Sequence, residues 1–514
     1  MCSYLSFFKQ NTLQLHMSDN LNNYPDRYSK ERTLSLYATF RPWSDDPALS
    51  GLNTRRNESY TEADLDKMQR NCAARGVTII PEIEAPGHAL AIVKWKPQIG
   101  LADMSMLNIS HPETIPAMKT IWSKFLPWFY SKTVHIGADE YDKNHIKDYA
   151  RFVNELAEHI FNESGKTIRI WGTFTPSQGS NVSKNVMQQH WANYDDNAYW
   201  DFIKNGYQVL NAYNYFYAVN KWSAKYMPPL AKSKAFSGSP SGGQFSPNIF
   251  DVANATNNPP RNDPNVHGHL VCLWNDWGPN GTTVLEAFHA VRDALPALAD
   301  KQWGGNLTES QYDGVMKRLQ AVVPGQNLER KVKSKTRTIL SYGFSRCSNG
   351  QDRVKDDSGN NYHGRVEGQG CKFENKSMVF SGNCSIETPL GSKGRDYTLS
   401  FSVKPSSHQG KLFDGPDSTL TFDNKNLTMI SGGNYYTLNY TLPLGTWTDV
   451  SVVRQDDRTF VSVLGGGRME FLTVLGIWGL SFVWAPMALE APIRQIGVGF
   501  TGEMRNITLT DNAV

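Results

Sequence analysis

Between residues 12 and 300 the chain repeats one pattern: a short apolar run followed by a segment of helical periodicity. The apolar runs fall at 13–17, 77–83, 133–136, 168–171, 186–191, 207–210 and 269–274. Helical patterns follow at about 61–75, opened by Thr61 and closed by Gly76, at about 146–163, stopped by Gly165, and around 284–300. Caps and glycine stops of this kind mark helix ends. Serial β-α alternation predicts a parallel sheet. Each run ends in polar or aromatic residues: Asp19, Glu84, Asp139 with Glu140, Trp171, Trp191, the stretch Tyr213 to Tyr217, and Asp276. In a (β/α)8 barrel those ends share one face, where active sites form. A doubly wound sheet is the competing arrangement, but it does not gather residues from every strand at one mouth. Seven strands are one short of eight, so the expectation is a barrel lacking its first strand.

After residue 340 the helical periodicity stops. Short strand-like runs with Gly and Asn turns take over, as in 398–403, 446–453 and 460–463, which predicts an all-β sandwich. The fold class is therefore α/β plus all-β. Residues 1–325 form the barrel, 326–340 a polar, basic linker, and 341–514 the sandwich. Residues 471–489 carry no charge and are nearly long enough to cross a bilayer. Gly476, Gly479 and Pro486 interrupt them, so they are read as buried sandwich strands with an apolar turn rather than a membrane span.

Charge narrows the partners. Lys+Arg 52 against Asp+Glu 49 leaves a net charge of +3, which supplies neither a nucleic-acid footprint nor a polybasic membrane surface. Aromatics make up 12%, suited either to stacking on flat, half-apolar sugars or to a large core. The six cysteines form no CxxC pair, so neither a zinc cage nor any other metal or cofactor is expected. Three of them, Cys347, Cys371 and Cys384, predict one local disulfide with a cysteine left over. Twelve Asn-x-Ser/Thr sequons between Asn57 and Asn506 favour the secretory pathway and an extracellular location. The first ten residues do not read as a signal peptide; they read as an amphipathic helix with Met1, Leu5 and Phe8 on one face, so the chain is expected to begin inside its first domain, truncated at the N-terminus.

Three segments carry chemistry. His135-Ile136-Gly137-Ala138-Asp139-Glu140-Tyr141 ends an apolar strand with adjacent carboxylates, which can reach two parts of one ligand because successive strand residues point apart. The same pair could instead begin a helix with an acidic first turn. Pro81-Glu82-Ile83-Glu84-Ala85-Pro86-Gly87-His88 ends another strand with an acid, a rigid turn and a histidine. Leu273-Trp274-Asn275-Asp276-Trp277 sets an aromatic wall beside a carboxylate.

Together these segments resemble glycoside hydrolase family 20, the β-N-acetylhexosaminidases, over about residues 5 to 310, and most of all its streptococcal exo-hexosaminidase and lacto-N-biosidase branch. The resemblance implies a retaining mechanism in which the substrate's own 2-acetamido oxygen attacks C1. It makes Asp139 the residue that orients the acetamido N–H and Glu140 the general acid and base, with a raised pKa expected for Glu140. Tyr217 would bond the acetamido oxygen, although Tyr213 and Tyr215 stand close by. Trp171, Trp191 and Trp274 would wall the sugar pocket, unless they serve barrel packing. Asp276 would bind sugar hydroxyls and Asp19 would lie near the sugar rim. His88 and Glu84 would form a supporting network, with Glu84 replacing the family's more usual Asp. The family's arginine at the end of the first barrel strand has no counterpart. Expected partners are N-acetylhexosamine-terminated glycans or chitooligosaccharides. A disaccharide-releasing enzyme and a non-catalytic glycan-binding protein remain as alternatives. Residues 341–514 resemble a laminin-G-like or concanavalin-like domain.

Overall fold

The computed structural model describes the chain except for residues 173–175, 177–180, 195, 224, 279, 320–321, 325–326, 345–351, 478–480 and 512–514. It divides into two compact units. The first comprises residues 1–219, 225–274 and 291–326; the second comprises 220–224, 275–290 and 327–514. The stretch read as a linker belongs mostly to the second unit. Arg330 pairs there with Asp417 at 3.0 Å and Glu490 at 3.3 Å, because a guanidinium can bridge two part-buried carboxyls.

In the first unit seven parallel strands lie in chain order: Thr12–His16, Thr78–Ala85, Thr133–Gly137, Thr167–Trp171, Met187–His190, Val209–Asn211 and Val266–His269. The sheet is barrel-like, with helices on its outside. The cap predicted at Thr61 is present and is a capping box, with Thr61 and Asp64 exchanging bonds at the start of Glu62–Ala73. The helix Ile146–Ser164 ends on Gly165 at φ +68°. It buries Phe152, Val153, Leu156 and Ile160 completely, each worth about 1.5–3 kcal/mol of apolar transfer.

Two elements differ from the sequence reading. The seventh strand starts earlier, at Val266, and leaves the sheet after His269; residues Cys272–Leu273 instead pair with Tyr217–Ala218 in a small parallel sheet. Gly268 at φ +119° and a register shift between Val266 and His269 divert the chain. The helix around 284–300 is two helices, Val284–Val291 and Ala294–Gln302. Pro296 ends any continuous helix, since its ring meets the carbonyl four residues back.

At the N-terminus the helix Cys2–Phe7 buries Tyr4 and Leu5, with Phe8 beside them, while Met1 is exposed rather than on the apolar face. Gln10 Nε2 donates to Gln302 Oε1 at 2.7 Å and Trp303 Nε1 to the Lys9 carbonyl at 2.8 Å, so the flank of the first strand meets the helix that follows the seventh. A disulfide unforeseen in the sequence, Cys2–Cys72, ties this helix to Glu62–Ala73. The local disulfide is Cys371–Cys384; Cys347 lies outside the described residues.

The second unit is a β-sandwich of an eight-stranded and a ten-stranded sheet around one apolar core. Strands Leu472–Ile477 and Ser481–Pro486 pair at the edge of the larger sheet. Only one face of them is buried. Phe471, Leu475 and Ala485 point inward, whereas Phe482 is 74% and Trp484 65% exposed, as the two-residue side-chain period of a one-sided strand requires. Gly479 lies outside the described residues. No described helix is long and apolar enough to cross a membrane.

Candidate active site

The third strand, Thr133–Gly137, delivers the paired acids. Its end turns through three left-handed residues, Gly137 at φ +78°, Ala138 at φ +78° and Glu140 at φ +47°. Such conformations cost a non-glycine residue energy and cluster at functional sites. Gly137 is obligatory: a Cβ there would lie 1.8 Å from Glu84 Oε1. Gly87 is nearly so, because its Cβ would lie 2.8 Å from the Asp139 carbonyl oxygen. Tyr149 fastens the turn by donating to the Ala138 carbonyl at 2.7 Å, and Glu84 Oε1 accepts from the Ala138 amide at 3.0 Å.

The two acids meet different surroundings. Glu140 is half-exposed, and its Oε2 lies 3.2 Å from His88 Nε2. That hydrogen bond holds its carboxyl below the usual range, contrary to the raised value expected from sequence. Asp139 is the acid that is raised, to about 6, because burial outweighs the nearby His88 charge and Glu140 adds repulsion. Glu84 is buried and raised further, by burial and by the Asp139 charge. Glu84 therefore supports Asp139 and the turn, while His88 supports Glu140.

His88 Nδ1 lies 3.1 Å from Asp19 Oδ1. Asp19 Oδ2 lies 3.1 Å from His16 Nε2, and the Asn20 amide also donates to Oδ1. Both Asp19 oxygens are thus engaged by protein, in a site where the sequence reading set this residue beside the sugar. His16 Nδ1 lies 3.1 Å from Glu82 Oε2. His16 and Glu82 were absent from the sequence-derived candidates. Strand register explains them: His16 aligns with Glu82, Glu82 with His135 and His135 with Arg169 across four neighbouring strands. An ionisable residue at four successive register positions of neighbouring strands was the available signal.

The aromatic candidates converge. Trp171, Trp191, Tyr217 and Cys272 form one buried cluster with Trp274 packed against it. Trp171 and Trp274 have ring centroids 5.9 Å apart, Tyr217 and Trp274 6.1 Å, and Trp274 meets the His16 ring edge-on at 5.2 Å. Burial, with Cys272 and the Asp139 charge adding to it, pushes the Tyr217 hydroxyl well above its ordinary range. Trp171 Nε1 donates to Glu82 Oε1 at 2.7 Å, and Trp191 Nε1 to the Gly172 carbonyl at 3.1 Å. Asp276 falls in the second compact unit and is exposed.

His88, Asp139 and Glu140 bring one donor atom each within 4.8 Å, as do His16, Glu82 and Glu84. In both sets the imidazoles already pair with carboxylates of the chain, the wiring of a proton relay. Such an arrangement can hold and move protons.

The sequence profile described as the glycosyl hydrolase family 20 catalytic domain matches residues 1–305. The chain belongs to glycosyl hydrolase family 20. Within that family it is 26% identical over 182 residues to a lacto-N-biosidase of Bifidobacterium bifidum, covering 30% of this chain and 16% of that protein. It is 23% identical over 241 residues to a β-hexosaminidase of Vibrio furnissii, covering 41% of this chain and 39% of that protein. The matched stretches are thus a minor part of these curated relatives. A solved β-N-acetylhexosaminidase from Bacteroides fragilis superposes with a TM-score of 0.46 at 19% identity, over 62% of this chain and 65% of that one.

Proposed function

We propose that this family 20 chain is a retaining exo-glycosidase that releases terminal β-linked N-acetylhexosamine, with the substrate's acetamido oxygen as nucleophile and an oxazolinium ion as intermediate. The observation that carries the reading is the pair Asp139–Glu140: adjacent acids at one strand end, one half-buried with Glu84 behind it, the other half-exposed and bonded to a histidine. No second carboxylate is needed as nucleophile when the substrate supplies one, unlike the paired-carboxylate scheme of most glycosidases.

In this mechanism Asp139 accepts the acetamido N–H and its charge steadies the forming ring. Tyr217 donates to the acetamido oxygen, and Trp171, Trp191 and Trp274 enclose the N-acetyl group. Glu140 protonates the leaving oxygen and then takes a proton from water. Asp276 is retained as a sugar-hydroxyl ligand. The seven strands are read as an eight-stranded barrel without its first strand, with catalytic residues at 1–325 and the sandwich at 341–514. Substrates are N-acetylhexosamine-terminated glycans or chitooligosaccharides. Two disulfides and twelve sequons support an extracellular location.

The test is hydrolysis of aryl β-N-acetylglucosaminide and of an aryl lacto-N-bioside by the full chain and by Glu140→Gln. Release of the monosaccharide, lost by about 10²-fold or more in the variant, supports the reading. Turnover of the disaccharide glycoside alone points to the biosidase specificity. Glycan binding with no turnover of either overturns catalysis.

A further inference from the structure

Glu140 is the near end of a chain of alternating acids and imidazoles. From Glu140 Oε2 the contacts run through His88 to Asp19 Oδ1 and from Asp19 Oδ2 through His16 to Glu82 Oε2, every step 3.1 or 3.2 Å. We propose that His16, bridged between Asp19 and Glu82, is a positioning residue for proton donation: it governs how readily His88 passes its proton to Glu140. This rests on the role of Glu140 given above and extends it to a residue that does not touch the substrate.

Three of the four nitrogens of His16 and His88 hydrogen-bond to carboxylate oxygens, and the fourth, His16 Nδ1, lies 3.1 Å from Glu82 Oε2 without hydrogen-bond geometry. Carboxylates only accept, so each bonded nitrogen carries a proton and His88 is imidazolium; on His16 the Glu82 charge beside Nδ1 favours the second proton. Their surroundings agree: the acids around them raise His16 to about 10 and His88 well above its ordinary value against the opposing effect of burial. The charged groups facing the relay are Asp139 toward His88, Glu84 and Arg169 toward Glu82, and His135. His135 ends the relay. Its Nδ1 accepts the Gly137 amide at 3.0 Å, and burial keeps the ring neutral, down to about 3. Glu82 is fixed by Gln14 Nε2 at 2.9 Å and Trp171 Nε1 at 2.7 Å, so it cannot turn away from His16.

Before donation the proton rests on His88 Nε2 and Glu140 is ionised. For donation the Nε2–H bond breaks and an O–H bond forms at Glu140 Oε2. His88 becomes neutral, keeping Nδ1–H toward Asp19. Glu140 then gives that proton to the leaving oxygen. When water attacks, its proton returns through Glu140 to His88. Asp19 opposes the first transfer, because its charge favours imidazolium at His88. The positive charge of His16 on the other Asp19 oxygen divides that hold. Without it the proton stays on His88 and the acid is weak.

The experiment compares phenyl and 2,4-dinitrophenyl β-N-acetylglucosaminides as substrates of the full chain and of His16→Gln. The phenolate leaving group needs protonation and the dinitrophenolate does not. The expected result is a fall in kcat of about tenfold or more on the phenyl glycoside, with KM unchanged and the dinitrophenyl rate nearly unaffected. Equal losses on both substrates, or none on either, overturn the relay while leaving the role of Glu140 standing. A wild-type chain inactive on both overturns the reading of function itself. If His16→Gln fails to fold, nitrogen NMR of the histidine-labelled wild type decides: a neutral His16 ring at pH 7 overturns the proposal, and two protonated nitrogens support it.

Discussion

Glu84 Oε2 and Asp139 Oδ1 are both buried oxygens with no hydrogen-bond partner among the described residues, and burial together with the Asp139 charge pushes the Glu84 carboxyl well above its ordinary range. Two enclosed carboxyls without a donor disfavour a second charge, so one of the pair takes up a proton. Glu84, the more deeply enclosed, is the group that holds it.

A neutral Glu84 has a direct consequence. Glu84→Gln retains an acceptor for the Ala138 amide and a donor for Asp139, so kcat stays within a few-fold of wild type. Glu84→Ala removes both and opens a cavity, lowering stability by about 2–3 kcal/mol and kcat with it. Steady-state kinetics and denaturant unfolding of the two variants check this. Inactivity of the glutamine variant would show that Glu84 works as a charge.

Activity should fall on the acid side as Asp139 takes up a proton near pH 6. Its folded value lies above the 3.8 of the unfolded chain, so the folded state binds the extra proton between about pH 4 and 6, and this group's contribution to stability declines as pH rises through that window. The kcat/KM profile of the free enzyme reports the limb. Because the His88 charge lowers Asp139, His88→Gln should move the limb to higher pH.

The strand-end turn should tolerate no side chain at residue 137. Gly137→Ala drives a methyl into Glu84 at a positive φ, and loss of folded protein is the expected outcome. Gly87→Ala meets only the Asp139 carbonyl at 2.8 Å; it should fold with a lowered Tm and a reduced kcat. Thermal melts and kinetics of the pair distinguish the two positions.

The disulfides should differ in weight. Cys2–Cys72 spans 70 residues and Cys371–Cys384 spans 13, for which loop-closure entropy gives about 4 and about 3 kcal/mol. Cys2→Ser should therefore lower the unfolding midpoint of its unit more than Cys384→Ser does, as followed by calorimetry. A larger effect at Cys384 would contradict the entropic account.

Much of this site could be read in sequence because its residues sit where strands stop. Asp139, Glu140, Trp171 and Trp191 each follow an apolar run, and period and punctuation locate such positions. His16 closes the first strand and Glu82 lies inside the second, where sequence patterning shows only a polar residue; their meaning comes from register between strands distant in the chain. The electrostatics of Glu140 escaped for the same reason, since its partner His88 arrives from a turn 52 residues away. The exposed face of residues 472–486 was misread because an uncharged run looks alike whether one side or both are covered.

The interleaving of the two units limits how this chain can be divided. Trp277 sits in the sandwich core, and Glu286 accepts from the Ala488 amide at 3.2 Å, yet both come from a stretch far upstream of residue 327. A sandwich expressed from residue 327 alone would lack pieces of its own interior. A protein stopped at 326 would carry those same pieces as sticky, uncovered loops. Recombination that shuffles modules by joining contiguous segments cannot transplant either half intact, so the two have to be inherited, and engineered, as one gene product.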